Sequence, residues 1–412
     1  MALPALPVSQ VIYPEMLVNN LGNQSVVILD KTSDKMISQK LLSFLMNYYL
    51  ETPFLLIDTD IIAENYLTLR RLMPQTLVYY AIKANPAPEI LKLLVGLGSN
   101  FDVASVFEID QCIRSGVKPE NISYGNTIKK VRDIAYAYEL GVRLFAFDSM
   151  CELEKIAVNA PGARVYCRLL MTCAFSEWPL SKKFGCELNM AHDLLLHSYK
   201  IGLEPYGVSF HVGSQQTDPL QWEIAISKVA MLFKMLLLKG IQLNMINLGG
   251  GFPAKYRSEI PNIEAYTDVI ITAMHRHFGS NIPEIMIEPG RSLVADAGLI
   301  QSEVVLISQK SYEDDKRWIF LDIGKFGGLA ETMDECIKYR IRTPWDGNEV
   351  GLAILAGPTC DSADILYEKT SYELPINLRV GDKIQILSTG AYTSTYASVG
   401  FNGFPPLKTY CI

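Results

Sequence analysis

From Pro53 to Arg291 the sequence alternates short apolar runs with longer segments of helical periodicity, and this alternation limits the fold more than any other feature. Eight runs read as strands: Leu77–Lys83, Phe101–Ala104, Ile122–Gly125, Leu144–Asp148, Arg164–Leu170, Gly207–Val212, Met245–Gly249 and Glu284–Glu288. Amphipathic segments such as Glu89–Leu97 and Trp222–Lys239 lie between them. Strands alternating with helices imply a parallel sheet with right-handed crossovers. Eight repeats over about 240 residues match the size of a (β/α)8, TIM-like barrel. A doubly wound open sheet uses the same pattern and stays open as an alternative.

The chain has 412 residues, more than the roughly 100–200 of one ordinary domain. After Arg291 amphipathic helices become scarce, and β-rich runs appear at Ser302–Ser308, Trp318–Asp322, Val350–Ala356 and Lys383–Leu387. Gly, Asp and Pro separate them, as in a β-sandwich or small β-barrel. The expected organisation is an N-terminal extension (1–50) able to complete the β domain, a barrel (51–291) and a C-terminal β domain (292–412). Within the extension, Val26–Leu29 reads as a strand and Met36–Tyr49 as a helix that stops before Thr52-Pro53.

Composition excludes several classes. A net charge of −7 gives no general attraction to nucleic acid or anionic lipid. The eight cysteines include no Cys-x-x-Cys pair, so neither a zinc ribbon nor a redox dithiol is expected, and reduced thiols in a cytoplasm are the simpler reading. No Lys or Arg precedes Lys31, and prolines interrupt the apolar residues before it, unlike a secretory signal. The most apolar helix-like stretch, Lys228–Leu238, is broken by Lys234 and is too short to span a membrane. A soluble cytoplasmic protein is expected.

Polar residues at the strand ends carry the chemistry. Barrel active sites form where the C-terminal ends of several strands converge. Those ends read Lys83, Asp102, Asn126, Asp148, Arg168, His211, Gly249-Gly250-Gly251 and Glu288. A lone strand-end lysine usually just points into water, but a desolvated amine there can form an imine. His211 alone is more often structural, yet its flat ring can lie against an aromatic cofactor. The glycine run suits an anion approached by backbone N–H groups, or simply a tight turn. In Glu288-Pro289-Gly290-Arg291 the acid can meet a protonated ring nitrogen, and the arginine can bind phosphate through its planar fork. Cys360-Asp361-Ser362-Ala363-Asp364 has no histidine near it, so metal is not expected. A cysteine proton donor beside an acid for a cationic substrate fits it better.

Together, Tyr80–Asn85, Phe101–Ser105, the His211–Ser214 segment, the glycine run, Glu288–Arg291, Gly357–Asp364 and Gly390-Ala391-Tyr392-Thr393 resemble the ornithine, lysine, arginine and diaminopimelate decarboxylases of pyridoxal-phosphate fold type III. The resemblance covers roughly residues 50–412. It is strongest to the ornithine enzymes through Cys360-Asp361 and Phe401-Asn402-Gly403-Phe404.

The resemblance implies pyridoxal 5′-phosphate held on Lys83, His211 stacked on its ring, and Glu288 at its ring nitrogen. Gly249, Gly250, Gly251, Gly290, Arg291, Ser214 and Tyr392 bind the cofactor, mostly at its phosphate, and Asp102 and Arg168 support its face. Cys360 returns a proton to the substrate carbon, Asp361 binds the distal amine, and Asp322 is a second substrate candidate. The resemblance also implies a head-to-tail homodimer in which Cys360 and Asp361 enter the partner's site and Lys183 pairs with Asp364 across the interface. A carboxylate at the ring nitrogen favours decarboxylation over racemisation. One departure stands out: where the better-known ornithine enzymes carry Asn-Asp-Gly, this chain has Asp322-Ile323-Gly324, with the acid one place earlier. Two function classes follow: a basic amino-acid decarboxylase, or a non-catalytic binding protein derived from one.

Overall fold

The computed structural model describes residues 37–171, 176–178 and 183–412. They divide into two compact units: residues 63–254 with 259–293, and residues 37–62 with 255–258 and 294–412. The Val26–Leu29 run lies outside the described residues. No described helix is long and apolar enough to cross a membrane.

The first unit is a closed barrel of eight parallel strands, which removes the open-sheet alternative. They are Thr76–Ala81, Asn100–Val103, Ile122–Tyr124, Leu144–Phe147, Arg164–Arg168, Glu204–Ser209, Met245–Asn247 and Glu284–Ile287. Each pairs with the next, and Glu284–Ile287 closes on Thr76–Ala81 through Ile285↔Thr76. Strands such as Leu144–Phe147 are buried along their whole length, because side chains fill one face and helices cover the other. Tyr79, Leu144, Ala146, Tyr166, Met245 and Met286 come from five strands yet form one cluster, which places them in the barrel's interior.

Local signals turn each strand end sharply into the next helix. Ser105 accepts the Glu108 N–H and starts Val106–Arg114; Ser149 accepts the Glu152 N–H and starts Met150–Asn159. Trp222, fully buried on helix Leu220–Leu237, stacks on Phe252 at 4.9 Å and meets Tyr266 edge-on at 5.5 Å. Aromatic contacts of this kind add about 0.5–1.5 kcal/mol each beyond burial. They clamp the segment that follows the three glycines.

The second unit is an eight-stranded sheet. Its central strand, Gly298–Ser308, pairs through its first half with Phe54–Ile57 and Lys383–Leu387. Its second half pairs with Arg317–Leu321, after a bulge between Val304 and Leu306. Such a bulge bends and twists a strand, letting one strand serve two parts of a sheet. The pairings are antiparallel except Arg317–Leu321 with Val350–Ala356 and Phe54–Ile57 with Lys408–Cys411. Helix Gln39–Asn47, capped by Ser38, packs Leu41 with Phe54, Leu56, Leu299 and Leu387. Two segments inside the 51–291 span thus belong to the sheet unit: the strand Phe54–Ile57 and residues 255–258.

Candidate active site

In the barrel unit, Lys83 lies not in a strand but in the short 3-10 turn Ile82–Ala84 just beyond Ala81. Its side chain is exposed while Ile82, Ala84 and Asn85 are buried. The Glu288–Arg291 turn packs on this one: Ala81 donates its N–H to the Pro289 carbonyl at 3.1 Å, and a Cβ on Gly290 would approach the Ala84 Cβ to 3.0 Å.

Asp102, Arg168, His211 and Glu288 form one electrostatic cluster with Lys83. Burial drives the Asp102 carboxyl well above the usual carboxylate range; the charge of Glu288 pushes the same way, and Lys83 and Arg168 oppose it. No donor among the described residues reaches the buried Oδ1 of Asp102. Burial, then the charges of Arg168 and Lys83, hold the His211 imidazole well below its ordinary range. His211 Nδ1 accepts the Gly213 N–H at 3.0 Å, so the neutral ring carries its proton on Nε2.

The glycine run makes a cradle that no side chain can enter. Gly249 and Gly251 have φ of +66° and +100°, the left-handed region. A Cβ would lie 2.2 Å from the Phe210 carbonyl oxygen at Gly249, 2.6 Å from that of Glu288 at Gly250, and 2.5 Å from that of Gly213 at Gly251. The loop is tied to strand Ser214–Gln216: Gln216 donates its N–H to Gly251, and the Gln215 amide exchanges hydrogen bonds with the Ala254 backbone. Beside it, buried Arg291 donates from Nη2 to Ser214 Oγ at 3.2 Å.

Two other strand-end polar residues serve the backbone instead. Asp148 accepts from Thr127 Oγ1 at 2.8 Å and from the Gly185 N–H at 2.7 Å; Asn126 accepts the Ile128 N–H. Lys183 is exposed with its Nζ 4.9 Å from the Phe184 ring centre, and the Arg168 guanidinium lies 5.2 Å from the same ring.

The remaining candidates belong to the sheet unit. Cys360 and Asp361 sit exposed on a loop whose anchor is Asp364. Buried Asp364 accepts the Lys325 N–H at 2.7 Å, the Thr359 N–H at 3.1 Å and the Thr359 hydroxyl at 2.7 Å. Gly324 and Gly357 make room for it, since a Cβ on either would fall within 2.3 Å of its carboxylate. Asn402 accepts the Cys360 N–H at 3.2 Å. Asp322 accepts from Ser302 Oγ at 2.6 Å and from the Glu303 N–H at 3.0 Å, so its carboxylate is engaged within the sheet. Tyr392 is half-buried with φ of +58°, on a loop held by Gly390 N–H donation to the Ala295 carbonyl.

Sequence reasoning missed Asn247 and Glu108, and it quoted Thr359 and Asn402 only within motifs, without the bonds they make. The first had a signal: a polar residue inside the apolar run Met245–Gly249. Glu108 and Thr359 bond to near neighbours, Ala104 and Asp364, while the partner of Asn402, the Cys360 N–H, is 42 positions away.

Known proteins are similar to this chain along most of its length. Residues 59–295 match the family model of the pyridoxal-dependent decarboxylase, pyridoxal binding domain. The lysine/ornithine decarboxylase of Selenomonas ruminantium is 34% identical over 355 residues, 86% of this chain and 88% of that protein. Antizyme inhibitor 2 of Xenopus laevis is 33% identical over 364 residues, 85% and 79% of the two chains. The crystal structure of the Selenomonas ruminantium lysine decarboxylase superimposes with a TM-score of 0.82 at 33% identity, covering 91% of this chain and 96% of that one.

Proposed function

The chain belongs to the pyridoxal-dependent decarboxylases, and from that premise we propose that it decarboxylates L-ornithine to putrescine and carbon dioxide. Several relatives are named as decarboxylases of basic amino acids, the Selenomonas ruminantium protein among them, whereas antizyme inhibitor 2 is not; ornithine is our choice among the substrates. The observation that carries the reading is the charged cluster of Lys83, Asp102, Arg168, His211 and Glu288 beside a cradle closed to every side chain.

The residues fit pyridoxal 5′-phosphate. The glycine cradle, Ser214 and Arg291 offer backbone N–H groups, a hydroxyl and a guanidinium to a phosphate, with Gly290 in support, and the family resemblance adds Tyr392 as a further candidate. The orphaned Oδ1 of Asp102 is an acceptor waiting for a donor. When bound, the cofactor supplies an electron sink for the bond to the departing carboxyl group.

Lys83 is the residue whose amine would hold the cofactor. His211, held neutral in its buried setting, would face the ring of the bound cofactor. Glu288 would hold a proton at the ring nitrogen, and the charge of Arg168 offsets that of the nearby carboxyls. Cys360 delivers a proton to the substrate carbon, and Asp361 holds the distal ammonium. We read the enzyme as a cytoplasmic homodimer, with Cys360 and Asp361 serving the partner's barrel and Lys183 meeting Asp364 across the interface. Asp322 is better read as a sheet residue than as a substrate ligand, because both of its recorded bonds stay within the sheet.

Lysine is the second reading, because a curated relative is named a lysine/ornithine decarboxylase. One methylene is worth only about 1–3 kcal/mol in a pocket. Carbon dioxide release measured in parallel on ornithine, lysine, arginine and diaminopimelate decides it. Release from lysine but not ornithine sinks the ornithine choice. Release from none, with Lys83 unlabelled after borohydride reduction and peptide mapping, returns the chain to the non-catalytic class.

A further inference from the structure

Asn247 is fully buried at the end of strand Met245–Asn247, between two parts of the site. Its Oδ1 accepts the Gly249 N–H at 2.9 Å, and its Nδ2 donates to Glu288 Oε1 at 2.5 Å. The orientation of the amide is determined. A backbone N–H requires an acceptor, so the oxygen must face Gly249 and the nitrogen must face Glu288. The Glu288 backbone closes the ring of contacts, donating its N–H to the Gly249 carbonyl at 2.8 Å.

From this geometry we infer that Asn247 is a positioning residue for the cofactor. One side-chain amide fixes the glycine cradle through its oxygen and turns the Glu288 carboxylate through its nitrogen. Oε1 is occupied by a donor from the protein, and Oε2 is the oxygen presented to the ring nitrogen. The inference rests on the reading that Glu288 meets that nitrogen. It adds that the cradle and the acid are set by a common residue, which appeared in the sequence only as a polar interruption of an apolar run.

The substitution Asn247→Asp isolates the donor. It keeps the volume and the oxygen that accepts from Gly249, and it replaces the N–H facing Glu288 with a second carboxyl oxygen. Pyridoxal-phosphate affinity of the dialysed protein is measured between pH 5.5 and 8.5, with the melting temperature of the apo form. We expect affinity about tenfold weaker than wild type at high pH. The gap should narrow as pH falls, because a proton on the introduced carboxyl restores a donor. The other ionisable groups facing this cluster, Lys83, Asp102, Glu108, Arg168, His211 and Tyr166, are the same in both proteins. A difference between the two pH profiles therefore reports the substituted pair, which a merely structural role would not produce.

If N247D binds the cofactor like wild type at every pH, the inference is overturned. A Glu288→Gln protein keeps the two failures apart. If E288Q loses function while N247D is unaffected, only Asn247 has been misread. If E288Q is also unaffected, the reading of Glu288 falls, and this inference with it. Should N247D fail to fold, the double variant N247D/E288Q restores the hydrogen bond with reversed polarity. It is expected to fold yet hold the cofactor weakly at every pH; wild-type affinity in that protein overturns the inference.

Discussion

A Cβ added to Gly125 would fall 2.0 Å from Oδ1 of Asp102. The fold therefore removes a side chain from one strand end to admit a buried carboxyl from its neighbour, and no described residue donates to that oxygen. Such an arrangement costs stability and is kept at functional sites.

The first prediction concerns that cost. The carboxyl of Asp102 is raised in the folded state, so folding favours its protonated form. Its contribution is fully present below the ordinary value near 3.8 and is lost as pH rises through the raised folded value. Cofactor-free Asp102→Asn protein should be more stable than wild type at pH 8, by about 1–3 kcal/mol. The difference should shrink toward acid pH while decarboxylation is lost. Urea denaturation at pH 5 and pH 8 checks it, and a pH-independent difference would count against the assignment.

A second prediction concerns the cradle. Gly250→Ala forces a methyl group against the Glu288 carbonyl, whose oxygen lies 2.6 Å from the Cβ position. Overpacking of this kind costs about 1–3 kcal/mol. Cofactor affinity should fall more than thermal stability, as equilibrium dialysis and melting of the same preparation would show.

A third concerns the loop of Cys360. Asp364→Ala strips the acceptor from two backbone N–H groups and one hydroxyl. Each buried donor left unsatisfied costs about 1–3 kcal/mol. The visible absorbance of bound cofactor should persist while kcat drops. Asp364→Asn, which keeps one acceptor oxygen, should recover part of the loss. Whatever loss Asp364→Asn retains would report the charge of Asp364, which the proposed ion pair with Lys183 requires; full recovery in Asp364→Asn would count against that pair.

A fourth lies away from the chemistry. Lys129 is buried against Glu152 at 2.9 Å and donates to the carbonyls of Asn126 and Ala146 at 2.7 Å. Burial lowers its amine to about 8 in spite of Glu152. Folding thus carries a penalty for this group below about pH 8, relieved as pH rises toward the ordinary 10.5. Glu152→Gln should destabilise by about 3–5 kcal/mol, because an uncompensated buried charge remains. Lys129→Met with Glu152→Leu should recover most of it in calorimetry, and should flatten the rise in stability between pH 8 and 10.5.

The barrel was legible because its strands are largely buried on both faces and read as mainly apolar runs, Leu144–Phe147 most plainly. Lys83, His211 and Glu288 were visible as polar residues ending such runs. The sheet unit was less legible. Ile365–Pro375 carries exposed Glu368 and Lys369 at its middle, and Lys408–Cys411 has no buried residue, so neither shows an apolar run. The work of Asp364 within its own loop was hidden for another reason. It depends on Gly324 and Lys325, which lie 39 positions from it in the case of Lys325 and come near only through the sheet.

The pairing of Phe54–Ile57 with Lys408–Cys411 has a temporal consequence. Thr59 and Ile412, joined by a hydrogen bond at 2.8 Å, are 353 positions apart, with nearly the whole barrel between them. At about 5–20 residues per second, a ribosome finishes the barrel segment well before residue 411 emerges. During that interval Phe54–Ile57 is a strand with an unpaired edge, the kind of surface that chaperones must shield. That edge is covered only once Lys408–Cys411 has been made, when the barrel strands already exist.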